Sequence, residues 1–205
     1  EGAVEDALTV RCRHGHLPGA RHARLAVDEV DAEVAQAVGV VVVRGDVGLD
    51  PSDPGPDLGP VDGDLADVDA VVNTVNTKGV MGKGLALQVK QRWPEVERSY
   101  RAACRRGEVK LGSMHIVDRS GLGERPRFVI NFPTKDHWRS ASRLDDVALG
   151  LVDLRQLIEG LDVASIAIPP LGCGLGSLDW NDVQPLIESA LADLEDVDIV
   201  IFPPA

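Results

Sequence analysis

The residues with the clearest capacity for chemistry lie in the run INFPTKDHWR, in the middle of the chain. Lys135 stands there among other polar side chains, where a lysine can have a lowered pKa and act as a nucleophile or as a proton carrier. The three residues that follow closely, His137, Trp138 and Arg139, would suit base stacking and phosphate contact. In isolation, the same run would be interpreted as a polar surface loop without a chemical role.

A second candidate is the glycine-punctuated run NTVNTKGVMGKG, which leads from a predicted strand into a predicted helix. Glycines allow the backbone to approach a ligand closely. The start of the helix offers unpaired N–H groups to a phosphate. Two side chains in the run, Asn73 and Asn76, could bond ribose hydroxyls. An ordinary strand-to-helix turn is the alternative, and the length of the loop disfavours it.

A third run, PPLGCGLG, also joins a strand to a helix, and its three glycines expose backbone amides that could cradle a diphosphate. No Walker-type GKS or GKT sequence is present, which disfavours a nucleoside triphosphatase. Cys173 could be considered as a nucleophile. We favour a small residue in a tight loop, because no histidine partner lies nearby in the sequence.

The elements that must position these runs alternate between strand and helix. This alternation predicts an α/β fold with a largely parallel sheet that is covered by helices on both faces. Such sheets bind ligands at the carboxyl ends of their strands, and the three runs all follow predicted strands. From the apolar periodicity, we predict strands at residues 40–43, 68–73, 114–117, 127–132, 163–168 and 197–202, and helices at residues 84–92, 94–106, 142–159 and 179–194.

The charge is distributed unevenly along the chain. The net charge of −12 argues against a nucleic-acid partner when it is taken alone. However, residues 78–143 contain 15 basic and 6 acidic residues, a local balance of +9. Such asymmetry can build a positive face for an anionic ligand or a phosphodiester backbone. The alternative is a set of solvated helix faces.

Several other classes of protein are disfavoured. No apolar run is long enough to span a membrane, and the acidic start does not resemble a signal peptide, so we expect no membrane partner. Three cysteines without CxxC spacing indicate a reducing cytoplasm. The spacing of Cys12, His14, His16 and His22 is not that of a standard zinc module, and we expect no metal.

Taken together, the runs NTVNTKGVMGKGLAL, INFPTKDHWR and IPPLGCGLGSLDW resemble macrodomains of the DarG type. That family consists of bacterial antitoxins that reverse the thymidine ADP-ribosylation of single-stranded DNA by DarT toxins. The resemblance covers about residues 40–205 and implies a three-layer α/β/α macrodomain with a mixed, largely parallel sheet. We assign residues 38–205 to it. Residues 1–37 are expected to be an N-terminal extension or linker, or the end of a fused upstream domain.

The resemblance also implies roles for individual residues. Asp46 would read the adenine amino group, Asn76 would contact the distal ribose, and Lys135 would be the catalytic lysine. A human relative that acts on protein-linked ADP-ribose has an acidic residue where this chain has Gly176, which weakens a transfer of its two-residue mechanism. Lys78 stands where a small or apolar residue is expected. The full set of expected ADP-ribose contacts is Asp46, Val47, Asn73, Asn76, Gly79, Val80, Met81, Gly82, Lys83, Gly84, Pro133, Thr134, Leu171, Gly172, Cys173, Gly174, Leu175, Gly176 and Pro203.

The expected activity is removal of ADP-ribose from single-stranded DNA, as an antitoxin against a DarT-type transferase that acts in trans or is fused. His137, Trp138 and Arg139 are the expected DNA contacts. Lys135 could protonate the leaving thymine or, when neutral, attack the ribose. The alternatives are a non-catalytic reader of ADP-ribose and a hydrolase of protein-linked ADP-ribose. We expect a cytoplasmic monomer that needs no cofactor, with ADP-ribose as its ligand or product.

Overall fold

A computed structural model describes residues 8–10 and 68–204 of the chain. Within these residues, strands and helices alternate as the sequence predicts. The strands are β1 Leu8–Val10, β2 Ala70–Asn76, β3 His115–Asp118, β4 Phe128–Lys135, β5 Ser165–Ile168 and β6 Asp198–Ile201. The helices are α1 Gly84–Arg92, α2 Pro94–Arg105, α3 Leu144–Leu161 and α4 Trp180–Leu191, with a short 3-10 helix at Ser120–Leu122.

The described strands form one mixed sheet in the order β1-β6-β5-β2-β4-β3. The four central strands are parallel, whereas β1 and β3 pair antiparallel at the two edges. The central parallel strands direct their carboxyl ends to the same edge of the sheet, where α/β proteins bind ligands. The predicted α/β fold with a mixed, largely parallel sheet is therefore confirmed.

Helices pack on both faces of the sheet, which makes three layers. On one face, α3 and α4 bury apolar side chains such as Leu151, Leu154 and Ile187 against the strands. On the other face, α1 and α2 bury Val89 and Tyr100. The helix predicted at residues 142–159 is confirmed as α3, and its inner face buries Val147, Leu151, Leu154 and Ile158, with Leu144 packed beside them.

The break between α1 and α2 has a local cause. Pro94 occupies the first turn of α2, where a missing backbone N–H costs nothing because that donor has no partner inside the helix. Glu95 and Glu97 also lie in this first turn, where negative charge complements the helix dipole. The sequence predicts this break at Trp93-Pro94, and the structure confirms it.

The two strands that lead into the candidate site are longer than predicted. The expected ends were residues 73 and 132, but β2 continues to Asn76 and β4 continues to Lys135. Proline removes a hydrogen-bond donor from a sheet, so Pro133 indicated the end of a strand. The structure accommodates it next to a register shift, where Asn76 pairs with Lys135. Asn73 and Thr134 therefore lie within strands and do not follow them.

Several predictions fall outside the described residues. These are the strand at residues 40–43, the Cys12 and histidine cluster, Asp46 and Val47, and the boundary between residues 37 and 38. Strand β1 belongs to the segment predicted as an extension, and its backbone pairs with β6 at the edge of the sheet. None of the described helices is long and apolar enough to cross a membrane.

Candidate active site

A cleft of ≈ 310 Å³ opens at the carboxyl ends of β2, β4 and β5. All three sequence runs contribute to its walls, although they are far apart in the chain. The lining residues are Thr74, Val75, Asn76, Val80, Gly82, Lys83, Gly84, Leu85, Ala86, Thr134, Lys135, Trp138, Pro169, Pro170, Gly172, Gly174, Leu175 and Gly176.

Lys135 is the last residue of β4 and lies half-buried in this cleft. Its Nζ atom donates a hydrogen bond to the backbone oxygen of Leu175, at 2.5 Å, and so joins the strand to the second glycine loop. Burial lowers the pKa of Lys135 below the ordinary value of a lysine. Among the described residues, no carboxylate forms an ion pair with this amine. Both facts favour a larger neutral fraction of Lys135 than a solvated lysine would have.

Asp136 follows Lys135 directly but does not serve it as a partner. One of its carboxylate oxygens accepts hydrogen bonds from Thr77 Oγ1, at 2.5 Å, and from Lys78 Nζ, at 2.8 Å. The hydrogen bond from Lys78 is the main cause that lowers the pKa of Asp136. The Asp136 side chain therefore acts as a clamp that links the end of β4 to the loop after β2.

Lys78 lies on the outer side of this clamp. It does not line the cleft, and its amine is held by Asp136. The resemblance indicated a small or apolar residue here. An ion pair to the neighbouring strand explains how a lysine is accommodated without entering the cleft.

Asn76 lines the cleft, and its side chain also shapes the loop that follows. Its Oδ1 atom accepts from the backbone N–H of Lys78 at 2.9 Å, and its Nδ2 atom donates to the backbone oxygen of Val80 at 2.7 Å. The hydroxyl of the buried Tyr100 donates to the backbone oxygen of Asn76 at 2.5 Å. In this structure, the amide therefore holds the Thr77–Val80 turn in place.

Asn73 needs a correction, because the structure places it away from the cleft. The residue is fully buried, and its Nδ2 atom donates to Asn131 Oδ1 at 2.8 Å. The chain of contacts continues from Asn131 to His115, at 3.0 Å, and from His115 to Ser99, at 3.3 Å. Asn73 thus belongs to a polar network under α2. His115, predicted to be a packed or edge residue, lies on edge strand β3, and burial lowers its pKa.

Other predicted contacts also lie behind the cleft wall. Met81 and Leu171 are buried in the two hydrophobic cores, and Pro133 is buried within β4. Gly79 packs against Cys104 and Arg101, where an added Cβ atom would come within 3.3 Å of Cys104 Cβ. These positions shape the loops and do not face the cleft. Cys173 and Pro203 are likewise absent from the cleft lining.

The second glycine loop is tightly folded. The backbone N–H of Leu178 donates to Gly172 at 3.1 Å, and the N–H of Ser142 donates to Gly176 at 2.9 Å. Gly172 adopts a φ of 74°, a left-handed conformation that favours glycine. Burial raises the pKa of the Cys173 thiol to about 12, which keeps it protonated and supports its interpretation as a small residue in a tight loop.

The residues of the first run that were expected to contact DNA divide into two groups. Trp138 lines the cleft with 44% of its surface exposed, and its ring stacks on His137 with 3.7 Å between the ring centroids. His137 supports the tryptophan from outside the cleft, and Arg139 is exposed beyond it. Across the cleft mouth, Leu175 has 60% of its surface exposed.

Sequence reasoning missed part of the wall. Pro169 and Pro170 line the cleft directly after β5, and their place after a strand was a usable signal. Leu85 and Ala86 belong to the first turn of α1, whose apolar periodicity suggested only a packing role. Ser142 gave no signal, although it supports the second glycine loop. In the described residues, no group of acidic, histidine or cysteine side chains could hold a metal ion.

Sequence comparisons identify relatives of this chain. The DNA ADP-ribosyl glycohydrolase of Mycobacterium tuberculosis is 54% identical over 145 residues, which are 70% of this chain and 41% of that protein. A DNA ADP-ribosyl transferase-DNA ADP-ribosyl glycohydrolase fusion protein of Thermosipho africanus is 34% identical over 152 residues, 66% of this chain and 39% of the relative. The chain spans about two fifths of the length of the curated relatives it matches.

Solved structures agree with the sequence comparisons. The macrodomain of Mycobacterium tuberculosis DarG superposes with a TM-score of 0.67 at 54% identity, covering 70% of this chain and 95% of that chain. Thermosipho africanus DarTG in complex with ADP-ribose superposes with a TM-score of 0.61 at 34% identity, covering 66% of this chain and 38% of that chain. The resemblance of the three runs to DarG-type macrodomains is thereby confirmed. A sequence model described as the Macro domain matches residues 72–187, and the chain belongs to the macrodomain family.

Proposed function

We propose that this chain removes ADP-ribose from thymidine in single-stranded DNA. The observation that carries the proposal is Lys135: a partly desolvated lysine in the cleft, held at the glycine loop and without a carboxylate partner among the described residues. A protein that only binds ADP-ribose has no need of such an amine. Relatives at 50 and 54% identity are named DNA ADP-ribosyl glycohydrolases, which supports the same reaction here.

The cleft offers suitable groups for the ADP-ribose part of the substrate. We assign the diphosphate to the backbone amides of the loop from Gly172 to Gly176 and to the start of α1, because both present backbone N–H groups to an anion. Lys83 occupies the N-cap position of this helix without a capping hydrogen bond from its side chain. That exposed side chain forms no ion pair with a described residue, so it can approach a phosphate. The distal ribose then lies between the Asn76 loop and Lys135.

The reaction breaks the bond between the anomeric ribose carbon and a thymine nitrogen. The ribose carbon develops oxocarbenium character, and the bond electrons remain on the leaving base. Water finally supplies the oxygen bound to the anomeric carbon and the proton taken up by thymine. Lys135 either donates a proton to the departing base or, when neutral, attacks the carbon first.

The mouth of the cleft fits a planar leaving group. Trp138 and Leu175 are both exposed apolar side chains, and both line the cleft that contains Lys135. We assign the thymine to the Trp138 ring, because aromatic side chains stack on nucleobases without regard to duplex geometry. His137 stacks on Trp138 and restricts its motion.

This assignment predicts the effect of Trp138→Ala. Loss of one stacked base costs about 1–3 kcal/mol, so kcat/KM on modified DNA should fall by about 5- to 100-fold. Calorimetric affinity for free ADP-ribose should stay unchanged, because free ADP-ribose carries no thymine. Leu122→Ala removes another exposed apolar side chain, with 58% of its surface exposed, from the 3-10 helix and serves as the control. A similar loss for both variants, or for free ADP-ribose, would contradict the assignment.

The proposed function itself is tested by a comparison of substrates under one set of conditions. We expect the chain to release free ADP-ribose from single-stranded DNA modified on thymidine, and to act poorly on glutamate-linked ADP-ribose in a protein. Release from the protein alone would replace the DNA substrate with a protein substrate. Calorimetric binding of ADP-ribose without turnover of either substrate would identify a reader.

The biological setting follows from the same relatives. A relative in Thermosipho africanus is a fusion with a DNA ADP-ribosyl transferase, which supports a DarT-type transferase as the functional partner of this chain. We assign it an antitoxin activity that reverses the product of such a transferase, in trans or in one polypeptide. We further propose that the chain acts in the cytoplasm, and the free thiols of the described cysteines, Cys104 and Cys173, are in keeping with a reducing compartment.

A further inference from the structure

We infer that a basic groove beside the cleft binds the phosphodiester backbone of the DNA strand that carries the modified base. This inference rests on the proposed function, since it concerns the substrate beyond the ADP-ribose group. The groove has a volume of ≈ 480 Å³ and is lined by Thr77, Lys78, Cys104, Arg105, Gly107, Val109, Lys110, Leu111 and Asp136.

The groove and the cleft share a boundary. Thr77 and Lys78 follow the cleft residue Asn76, and Asp136 follows Lys135. The ends of β2 and β4 therefore contribute to the walls of the cleft and of the groove. The clamp between Asp136 and Thr77 stands at this boundary. A DNA strand whose modified base enters the cleft can therefore continue into the groove, because only one or two residues of protein backbone separate the two.

The groove carries unbalanced positive charge. Lys78 and Asp136 neutralise each other. Arg105 and Lys110 are exposed, and neither forms an ion pair with the part of the chain that the structure describes. The nearby carboxylate of Glu108 is already held by Arg106, with 2.6 Å between its Oε1 atom and Arg106 Nε. Two cations thus remain for an anion, and a nucleic-acid backbone supplies regularly spaced negative charge.

Helix stability alone does not explain both cations. A basic residue in the last turn of a helix stabilises the helix dipole, which accounts for Arg105 at the end of α2. Lys110 lies beyond the helix, near a turn in which Ser113 donates its N–H to the Lys110 backbone oxygen. Its side chain has no such helix-capping role. The half-buried Leu111 and the buried Val109 also line the groove and add apolar surface beside the two cations.

The test uses charge reversal at each cation of the groove, R105E and K110E. The control is R92E, because Arg92 is also exposed and occupies the last turn of α1, and its reversal changes the charge by the same amount. The first readout is the anisotropy of a fluorescent oligothymidylate without ADP-ribose, titrated at several salt concentrations. The second is kcat/KM on a modified oligonucleotide and on a modified thymidine nucleotide that lacks flanking nucleotides.

We expect R105E and K110E each to weaken oligothymidylate binding about 5-fold at low salt. The slope of log K against the logarithm of the salt concentration should become shallower by about 0.7 for each lost phosphate contact. The rate on the modified oligonucleotide should fall in parallel, whereas the modified nucleotide should be cleaved as before. R92E should behave like the parent chain in both readouts.

The outcomes separate this inference from the proposed function. If the three variants bind oligothymidylate equally, or if the parent chain does not bind it at low salt, the groove is not a DNA site. It would then be available for an acidic protein partner. If the groove variants lose DNA binding but the parent chain hydrolyses neither modified substrate, the inference that the groove binds DNA is supported and the proposed hydrolase activity is contradicted.

Discussion

Replacing Lys135 with alanine is expected to slow the release of ADP-ribose from modified single-stranded DNA by about 10²- to 10⁴-fold, the contribution of a well-positioned acid–base group. Lys135 lies in the cleft, and its amine is held in place by Leu175. Binding of free ADP-ribose should persist, because the diphosphate loop and the start of α1 remain. Single-turnover release and calorimetry on the same preparation would measure the two effects separately.

Lys135→Arg is the informative companion variant. Arginine retains the positive charge but does not deprotonate in proteins. If the neutral amine attacks the ribose carbon, the arginine variant should be as inactive as the alanine variant. If a cation near the leaving thymine is sufficient, the arginine variant should retain part of the activity. A rate unchanged by Lys135→Ala would remove the lysine from the mechanism altogether.

The pH dependence distinguishes the same two roles by its sign. Burial lowers the pKa of Lys135, so the amine loses its proton at a lower pH than a solvated lysine does. A nucleophilic Lys135 must be neutral, and kcat should rise with pH and level off above this lowered pKa. A proton-donating Lys135 must be charged, and kcat should fall as the pH rises through the same value. A pH profile without an inflection below the ordinary lysine range would show that neither ionisation controls the rate.

The sequence was a good guide to which loops meet, because the topology of a parallel sheet decides that. Strands alternate with helices, so the residues after β2, β4 and β5 must gather at one edge. Lys135 and the second glycine loop could be placed together on this ground alone, although 40 residues separate Lys135 from Leu175. The family resemblance added the expected ligand, which no periodicity could supply.

The direction of individual side chains could not be predicted in the same way. Asn73 was placed in the site because β2 was predicted to end there, whereas the strand runs three residues further. That extension moves Asn73 into the interior of the sheet, where its Nδ2 atom donates to Asn131 Oδ1. The position of the strand end depended on a register shift between two strands, which arises only when both are assembled.

Long-range polar pairs were equally inaccessible to sequence reasoning. Lys78 and Asp136 are 58 residues apart, and nothing local to either indicates the other. Their pairing decides which positive charges remain unbalanced near the cleft. The predicted basic segment therefore had the correct overall sign, but only the structure distinguishes the paired Lys78 from the unpaired Arg105 and Lys110 among the described residues.

A second large effect is expected at Gly176, where we predict that Gly176→Ala weakens ADP-ribose binding and lowers the melting temperature. An added Cβ atom would overlap the backbone oxygen of Gly172 and the hydroxyl of Ser142, and would lie 2.9 Å from Ser142 Cβ. Backbone and a buried side chain cannot yield as a flexible chain end would. Forcing a methyl group into a packed site costs about 1–3 kcal/mol, which corresponds to about a 5- to 100-fold loss in affinity if the bound loop bears the strain.

Gly174→Ala provides the matched control, because Gly174 belongs to the same loop and lines the same cleft, but no atom lies within 4 Å of an added Cβ atom there. Calorimetry with ADP-ribose and thermal unfolding should therefore separate the two alanine variants. Equal affinities and melting temperatures would show that the loop yields more easily than its contacts indicate.

The clash would also affect Gly176→Asp, which introduces the type of residue found in the human relative. An acidic residue here requires a different loop backbone, so packing against Gly172 and Ser142 is sufficient to explain the glycine. Gly176 by itself therefore carries no information about whether the substrate is DNA or protein.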